Sequence, residues 1–337
     1  MRCKDKEEWQ RKKEYGGFLP LELNPGKEYF EKYEGHLGRL NTVKTSIDLL
    51  IRGLDCDKIY IPYYYCPTTT EAIKKTGVDV VFYHIDSSLM PIDLPDEASS
   101  IILLVDYFGV CGERIKKYAG SIKNAEVIMD FAHSFFEEPI MEDHRHNVYS
   151  AKKFFGIPDG SYLISKTIKI EDEELSYAGS YTEYLLKTYE EGTNAAYRMK
   201  KEVDARLGAE KKAMSLLSVG LLKNADYARV NKQRRANYSI LAKELGRVNM
   251  LELPDSCAAY QYPLLITGGS RVKKELIKNS IFVSTLWSGE DLKREGNAFE
   301  ITMMNDCVFL PIDQRYDEND MLYIADVVNR VKGELQI

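Results

Sequence analysis

The 337-residue chain contains no apolar run approaching the ~20 residues that a membrane-spanning helix requires. Its six cysteines, Cys3, Cys56, Cys66, Cys111, Cys257 and Cys307, lie far apart and include no Cys-x-x-Cys pair. Such spacing excludes a disulfide framework or a thiolate zinc site and points to reduced thiols. A basic excess is missing too: 46 Lys and Arg are interleaved with 52 Asp and Glu, for a formal net charge of −6. A protein that grips nucleic acid by neutralising phosphates is thereby excluded. Residues 1–8 are charged and lack the apolar segment of a secretory leader. Internal repeats and low-complexity linkers are absent. These absences leave an expected cytoplasmic protein with no membrane and no nucleic-acid partner.

What is present is a regular alternation. Apolar periodicity predicts helices over 42–53, 68–76 and 113–119, and strands over 58–61, 78–84, 100–105, 126–129 and 161–164. The nearly continuous apolar run at 100–105 is that of a strand buried on both faces. Strands alternating with helices predict an α/β fold with a mainly parallel, helix-covered sheet. Residues 195–245 read as charged helix broken near 218–220. Beyond them, strands at 260–265, 281–283 and 307–310 mix with helices at 271–278 and 318–331, a smaller α+β unit. The expected organisation is an N-terminal arm at 1–40, a large α/β domain at 41–215 and a small C-terminal α+β domain at 216–337.

One pair of segments carries chemistry. Val127-Ile128-Met129-Asp130 ends a buried strand on a carboxylate. About twenty residues later comes Val148-Tyr149-Ser150-Ala151-Lys152-Lys153-Phe154-Phe155-Gly156-Ile157-Pro158-Asp159-Gly160, a lysine between an apolar strand and a Pro-Asp-Gly turn. Pyridoxal 5′-phosphate (PLP) chemistry requires this combination: an amine to form the Schiff base, and a carboxylate to keep the pyridinium nitrogen protonated. Lys153 is the candidate amine, and Lys152 beside it is its decoy. Asp130 could instead cap the following helix. His133 lies within reach of the same ligand, and Ser150 could donate to a phosphate.

The start of the first helix, Asn41-Thr42-Val43-Lys44-Thr45, offers backbone N–H groups and side-chain donors to a phosphate, with no glycine to ease close approach. Pro62-Tyr63-Tyr64-Tyr65-Cys66-Pro67 follows a strand end and should project at least one aromatic ring towards a cofactor. His144 and His146 stand in a polar stretch that reads as a solvated loop, and no metal is expected.

These residues resemble the DegT/DnrJ/EryC1/StrS group of PLP-dependent aminotransferases, and within it the short, divergent members of bacterial surface-polysaccharide gene sets. The resemblance rests on Gly16-Gly17-Phe18, Arg39-Leu40-Asn41-Thr42, Ile61 to Pro67, Asp106-Tyr107-Phe108-Gly109, Asp130-Phe131-Ala132-His133, Tyr149 to Gly160, Arg234-Arg235-Ala236-Asn237-Tyr238 and Leu310-Pro311-Ile312-Asp313-Gln314-Arg315-Tyr316. It implies an aspartate-aminotransferase-like (type I) fold and a homodimer with shared active sites. The implied reaction moves an amino group, usually from glutamate, to a keto sugar attached to a nucleotide. It also implies catalytic roles for Lys153, Asp130 and His133. Asn41, Thr42, Val43, Lys44, Tyr65 and Ser150 would contact the cofactor beside them. The chain departs from the group in its Thr42-Val43-Lys44 turn, where the group has Ser/Asn-Gly/Ala-Arg/Thr. A non-catalytic PLP-binding relic is the rival expectation; a PLP dehydratase of the same fold normally replaces the lysine that is present here.

Overall fold

The computed structural model describes residues 15–170 and 173–335. Cys3 and the start of the expected arm lie outside the described residues. The apolar run at β4 (Ser100–Val105) is buried along its whole length, in the interior of a seven-stranded sheet. Its other strands are β1 (Leu37–Leu40), β2 (Lys58–Pro62), β3 (Asp79–Tyr83), β5 (Glu126–Phe131), β6 (Arg145–Ser150) and β7 (Ser161–Ser165). The order is β1-β7-β6-β5-β4-β2-β3. Strands β2 to β6 pair in parallel, whereas β7 pairs antiparallel with β6 and β1. Leu37–Leu40, within the expected arm, is thus a sheet strand.

Helices α1 (Val43–Gly53), α2 (Pro67–Lys74) and α3 (Gly112–Ser121) alternate with these strands. Thr42 caps α1 by accepting from the Thr45 N–H at 3.2 Å, and Pro67 occupies the first position of α2, where no N–H is needed. The chain leaves β2 for β3 on one side and returns to β4 on the other. A crevice therefore opens outside the carboxyl ends of β2 and β4, the place where open α/β sheets bind ligands.

A helix outside the expected stretch, α4 (Glu183–Glu191), precedes it, and the stretch itself consists of α5 (Thr193–Leu207), α6 (Leu216–Lys223) and α7 (Tyr227–Leu245). Its breaks fall at 208–215 and 224–226 rather than at 218–220. Gly208 follows α5, and Ser215 caps α6 by accepting from the Ser218 N–H, so Gly220 is carried inside a helix. A two-stranded antiparallel sheet of β8 (Tyr262–Leu265) and β9 (Cys307–Leu310) follows, with α8 (Gly269–Lys278), α9 (Glu290–Glu295), α10 (Ala298–Asp306) and α11 (Glu318–Leu335) around it. One continuous apolar core runs from the large sheet into this region, and a satellite cluster lies within the α4–α5 hairpin. Glu300 ties α10 to the chain leaving β3: its fully buried carboxylate accepts from the Asn297 and Ile85 N–H groups at 2.8 and 2.9 Å and meets His84 Nδ1 at 2.9 Å.

Two local expectations are corrected. Residues 281–283 are not a strand; only Ser284 bridges to Phe309, and Ser280 at φ 59° turns the chain out of an extended path. The strand expected to begin near Val148 starts at Arg145, so His146 is not a solvated loop residue. It is fully buried, with Nδ1 2.8 Å from Ser165 Oγ and Nε2 2.9 Å from Glu126. Of this pair His144 alone is exposed, and its Nδ1 meets the same Glu126 at 2.7 Å. Among the described residues no His/Cys/Asp/Glu group is arranged to hold a metal ion, and no helix is long and apolar enough to cross a membrane.

Candidate active site

A cavity of about 260 Å³ lies at the carboxyl edge of the large sheet. All the residues expected to act on or contact a cofactor line it: Asn41, Thr42, Val43, Lys44, Tyr65, Asp130, His133, Ser150 and Lys153. Strand ends deliver most of them. Asp130, next to last in β5, pairs with Val105 on one side and Val148 on the other. It is 4% exposed; Oδ1 accepts from the Ala132 N–H at 2.8 Å and Oδ2 from the Tyr65 hydroxyl at 2.5 Å. Burial raises its pKa, opposed by the Tyr65 hydrogen bond and the nearby Lys153 charge.

Lys153 ends a one-turn 3₁₀ segment, Ala151–Lys153, directly after β6. The turn is held from behind: the Ala151 and Lys152 N–H groups donate to the Gly160 carbonyl at 3.1 and 3.4 Å. Gly160 sits at φ 144°, and a Cβ there would come within 3.0 Å of the Ile157 side chain, so glycine is needed. The Asp159 carboxylate, fully buried, accepts from the Ser215 N–H at 2.9 Å, from the Ser215 hydroxyl at 2.6 Å and from the Ser218 hydroxyl. The Pro-Asp-Gly segment therefore bolts the lysine turn to the start of α6.

The two lysines part company here. Lys152 Nζ pairs with Asp204 at 2.7 Å and lies 5.5 Å from the Tyr184 ring centroid. Lys153 Nζ has no hydrogen bond or ion pair among the described residues and sits 5.5 Å from the Tyr260 ring. Burial lowers the Lys153 pKa, with Cys66 and Asp130 pushing it back up.

His133 is 2% exposed, and its ring lies between those of Tyr260 (centroids 4.9 Å apart) and Trp287 (5.3 Å, planes 12° apart). Neither ring nitrogen has a hydrogen-bond partner among the described residues. Burial, reinforced by the Lys153 charge, drives its pKa well down, so the imidazole is neutral. A neutral, clamped ring with unpaired buried nitrogens is prepared for a ligand.

The α1 start divides the expected donors. The Asn41 amide is already engaged, donating to the Glu210 carbonyl at 2.9 Å and accepting from the Thr45 hydroxyl at 2.6 Å, and the Thr42 hydroxyl caps the helix. What remains for an anion is the pair of N–H groups at Val43 and Lys44, the Lys44 ammonium and the Ser150 hydroxyl. Among the three tyrosines, Tyr65 alone lines the cavity; Tyr63 stacks on Phe82, and the Tyr64 hydroxyl donates to the Leu286 carbonyl at 3.2 Å.

Sequence reasoning missed Cys66, Asp106, Asp204 and Trp287, all of which line the cavity. Cys66 was visible as the residue before Pro67. Asp106 carried the same signal as Asp130, an acid at the end of the apolar run at 100–105, and stood in the Asp106-Tyr107-Phe108-Gly109 motif. Asp204 and Trp287 come from distant segments that no local pattern marks. Trp287 adopts φ 62°, a strained backbone for a bulky residue, of a kind that clusters at functional sites.

No protein-family model matches the chain, and no curated protein is similar to it in sequence. Solved structures do match. Spr1654 from Streptococcus pneumoniae, in its PLP form, aligns with a TM-score of 0.61 at 14% identity over 93% of each chain. A DegT DnrJ EryC1 StrS aminotransferase from Brucella abortus aligns with a TM-score of 0.59 at 17% identity, over 89% of this chain and 87% of that one. The sugar aminotransferase CalS13 from Micromonospora echinospora gives 0.56 at 14% identity, over 88% and 90%. The expected fold is thus the observed one: the chain shares the type I architecture of these aminotransferases.

Proposed function

We propose that this chain is a PLP-dependent aminotransferase that moves an amino group from an amino-acid donor to a keto sugar. The observation that carries the reading is the convergence of Lys153, with an unpaired amine, and Asp130, with a buried carboxylate, on one cavity with the unpartnered His133. The residues fit the cofactor. Asp130 would face the ring nitrogen, with a lone pair left beside its bond to Tyr65, and His133 would meet the ring hydroxyl. The Val43 and Lys44 N–H groups, the Lys44 ammonium and the Ser150 hydroxyl would hold the phosphate; Asn41 and Thr42 would shape that turn without donating. Tyr65 would act through its hydroxyl on Asp130.

When bound, PLP supplies the electron sink that makes the donor's Cα–H acidic. The protein's part is to place charges and protons. Asp130 holds negative charge opposite the ring nitrogen. Lys153 Nζ, placed in the cavity beside Asp130 and with its basicity lowered by burial, would take the Cα proton and return it. The buried walls of Tyr65, His133 and Trp287 exclude water. Donor and acceptor use one site in turn, which gives ping-pong kinetics.

The sugar class rests on the likeness to CalS13, a sugar aminotransferase. Glutamate as donor, a nucleotide on the acceptor, surface-polysaccharide biosynthesis, a cytoplasmic location and a homodimer with shared active sites extend the same reading. So does a division into a 1–40 arm and domains at 41–215 and 216–337. Half-reactions test it: PLP should colour the protein yellow, and an amino donor should convert the cofactor to its amine form, which a keto sugar reverses. A protein that stays colourless with PLP overturns the reading; one that binds PLP without amine exchange is the relic instead.

A further inference from the structure

The cavity holds three amines, not one: Lys44, Lys152 and Lys153 all line it. Burial lowers the pKa of each, so basicity alone does not separate them. An aldehyde entering this space would meet competing nucleophiles. Adjacent residues on a 3₁₀ turn point about 120° apart, so Lys152 and Lys153 leave the same turn in different directions. Lys152 reaches α5, where Asp204 Oδ1 meets its Nζ at 2.7 Å. Lys200, one turn earlier on α5, meets Asp204 Oδ2 at 2.6 Å and fixes the carboxylate. The Tyr184 ring lies beside the Lys152 ammonium, and its hydroxyl donates to the Ile157 carbonyl at 3.3 Å. Lys44 reaches the same helix end: a Cβ on Gly208 would lie 2.0 Å from its Nζ. Carbonyls at a helix C-terminus favour cations. Of the two adjacent lysines, only Lys152 has an ion-pair partner among the described residues.

We propose that Asp204 is a positioning residue that selects Lys153 as the amine bonded to the cofactor, by holding Lys152 as an ammonium ion. The inference rests on the PLP reading above. Bond formation needs the nitrogen lone pair: the amine attacks the aldehyde carbon, C=O becomes C=N, and the oxygen leaves as water carrying both amine hydrogens. An ammonium has no lone pair until it gives up a proton, and the Asp204 carboxylate opposes that loss.

Borohydride reduction of the full-length, PLP-loaded protein, followed by peptide mapping of the adduct, tests the assignment. Wild type should carry the adduct on Lys153, and Lys153→Ala should carry almost none. The double variant Lys153→Ala/Asp204→Asn should place it on Lys152, at a level raised roughly tenfold or more, the range of a lost charge-assisted hydrogen bond. Asp204→Ser carries the same expectation should asparagine disturb the helix end, with circular dichroism verifying the fold of each. Equal labelling of Lys152 in the single and double variants overturns the role of Asp204, as does an unlabelled double variant beside a labelled wild type. A wild type with no adduct on any lysine overturns the PLP reading itself.

Discussion

Asp106 combines complete burial with an incomplete set of partners. Oδ1 accepts from the Cys111 N–H at 2.9 Å, while Oδ2 is buried with no hydrogen bond among the described residues. Burial pushes its pKa up from 3.8 to about 6. Between those values the folded chain holds a proton that the unfolded chain has released, so this group's contribution to stability falls as pH rises from 4 to 6. The shift corresponds to about 3 kcal/mol. Asp106→Asn should therefore gain stability over wild type on going from pH 4 to pH 7, read as the difference between their melting curves; parallel curves would refute the assignment. His133 carries a different expectation, because its imidazole is neutral throughout the physiological range. His133→Ala should weaken PLP binding roughly tenfold, the worth of one hydrogen bond, while leaving the shape of the pH–rate profile unchanged. A lost limb in that profile would mean that His133 titrates during turnover.

At the scale of elements, the Pro158-Asp159-Gly160 segment does more than end a strand. Its carboxylate gathers one N–H and two hydroxyls of the α6 start, and its glycine carbonyl gathers two N–H groups of the lysine turn. Asp159→Ala would leave buried donors without an acceptor and remove support from the α6 cap. The expected loss is about 2–4 kcal/mol in chemical denaturation, accompanied by a lower yield of Lys153 adduct. Asp159→Asn should lose less, because the amide oxygen still accepts. Strand and helix identities were legible because parallel strands buried on both faces leave apolar runs, and β4 and β5 are such runs. β6 was only half legible: Arg145, His146 and Asn147 are polar, but the buried His146 and Asn147 find hydrogen-bond partners in Glu126, Ser165 and the Ile140 carbonyl. Tertiary pairing overrode local polarity there, and the reverse happened at 281–283, where an apolar stretch has no strand to join.

For the whole molecule, several large apolar side chains stand in solvent. Tyr15, Phe18, Leu19 and Leu21 lie on the extended segment before β1, and Tyr189 and Tyr197 lie on the α4–α5 hairpin whose far end roofs the cavity. Exposed apolar surface of this kind marks association sites. Sedimentation should find a species of twice the chain mass; a monomer at micromolar concentration would remove the homodimer from the proposal. The sequence by itself determined the α/β alternation and the carboxylate at the end of β5, because burial on both faces and strand-end placement leave local signals. It also presented the amine and its Pro-Asp-Gly turn twenty residues on. Only the tertiary structure decided which of two adjacent lysines is unpaired and which of three tyrosines reaches Asp130. It also brought in Trp287 and Asp204, since those outcomes depend on partners more than fifty residues away that meet the site only across the folded core.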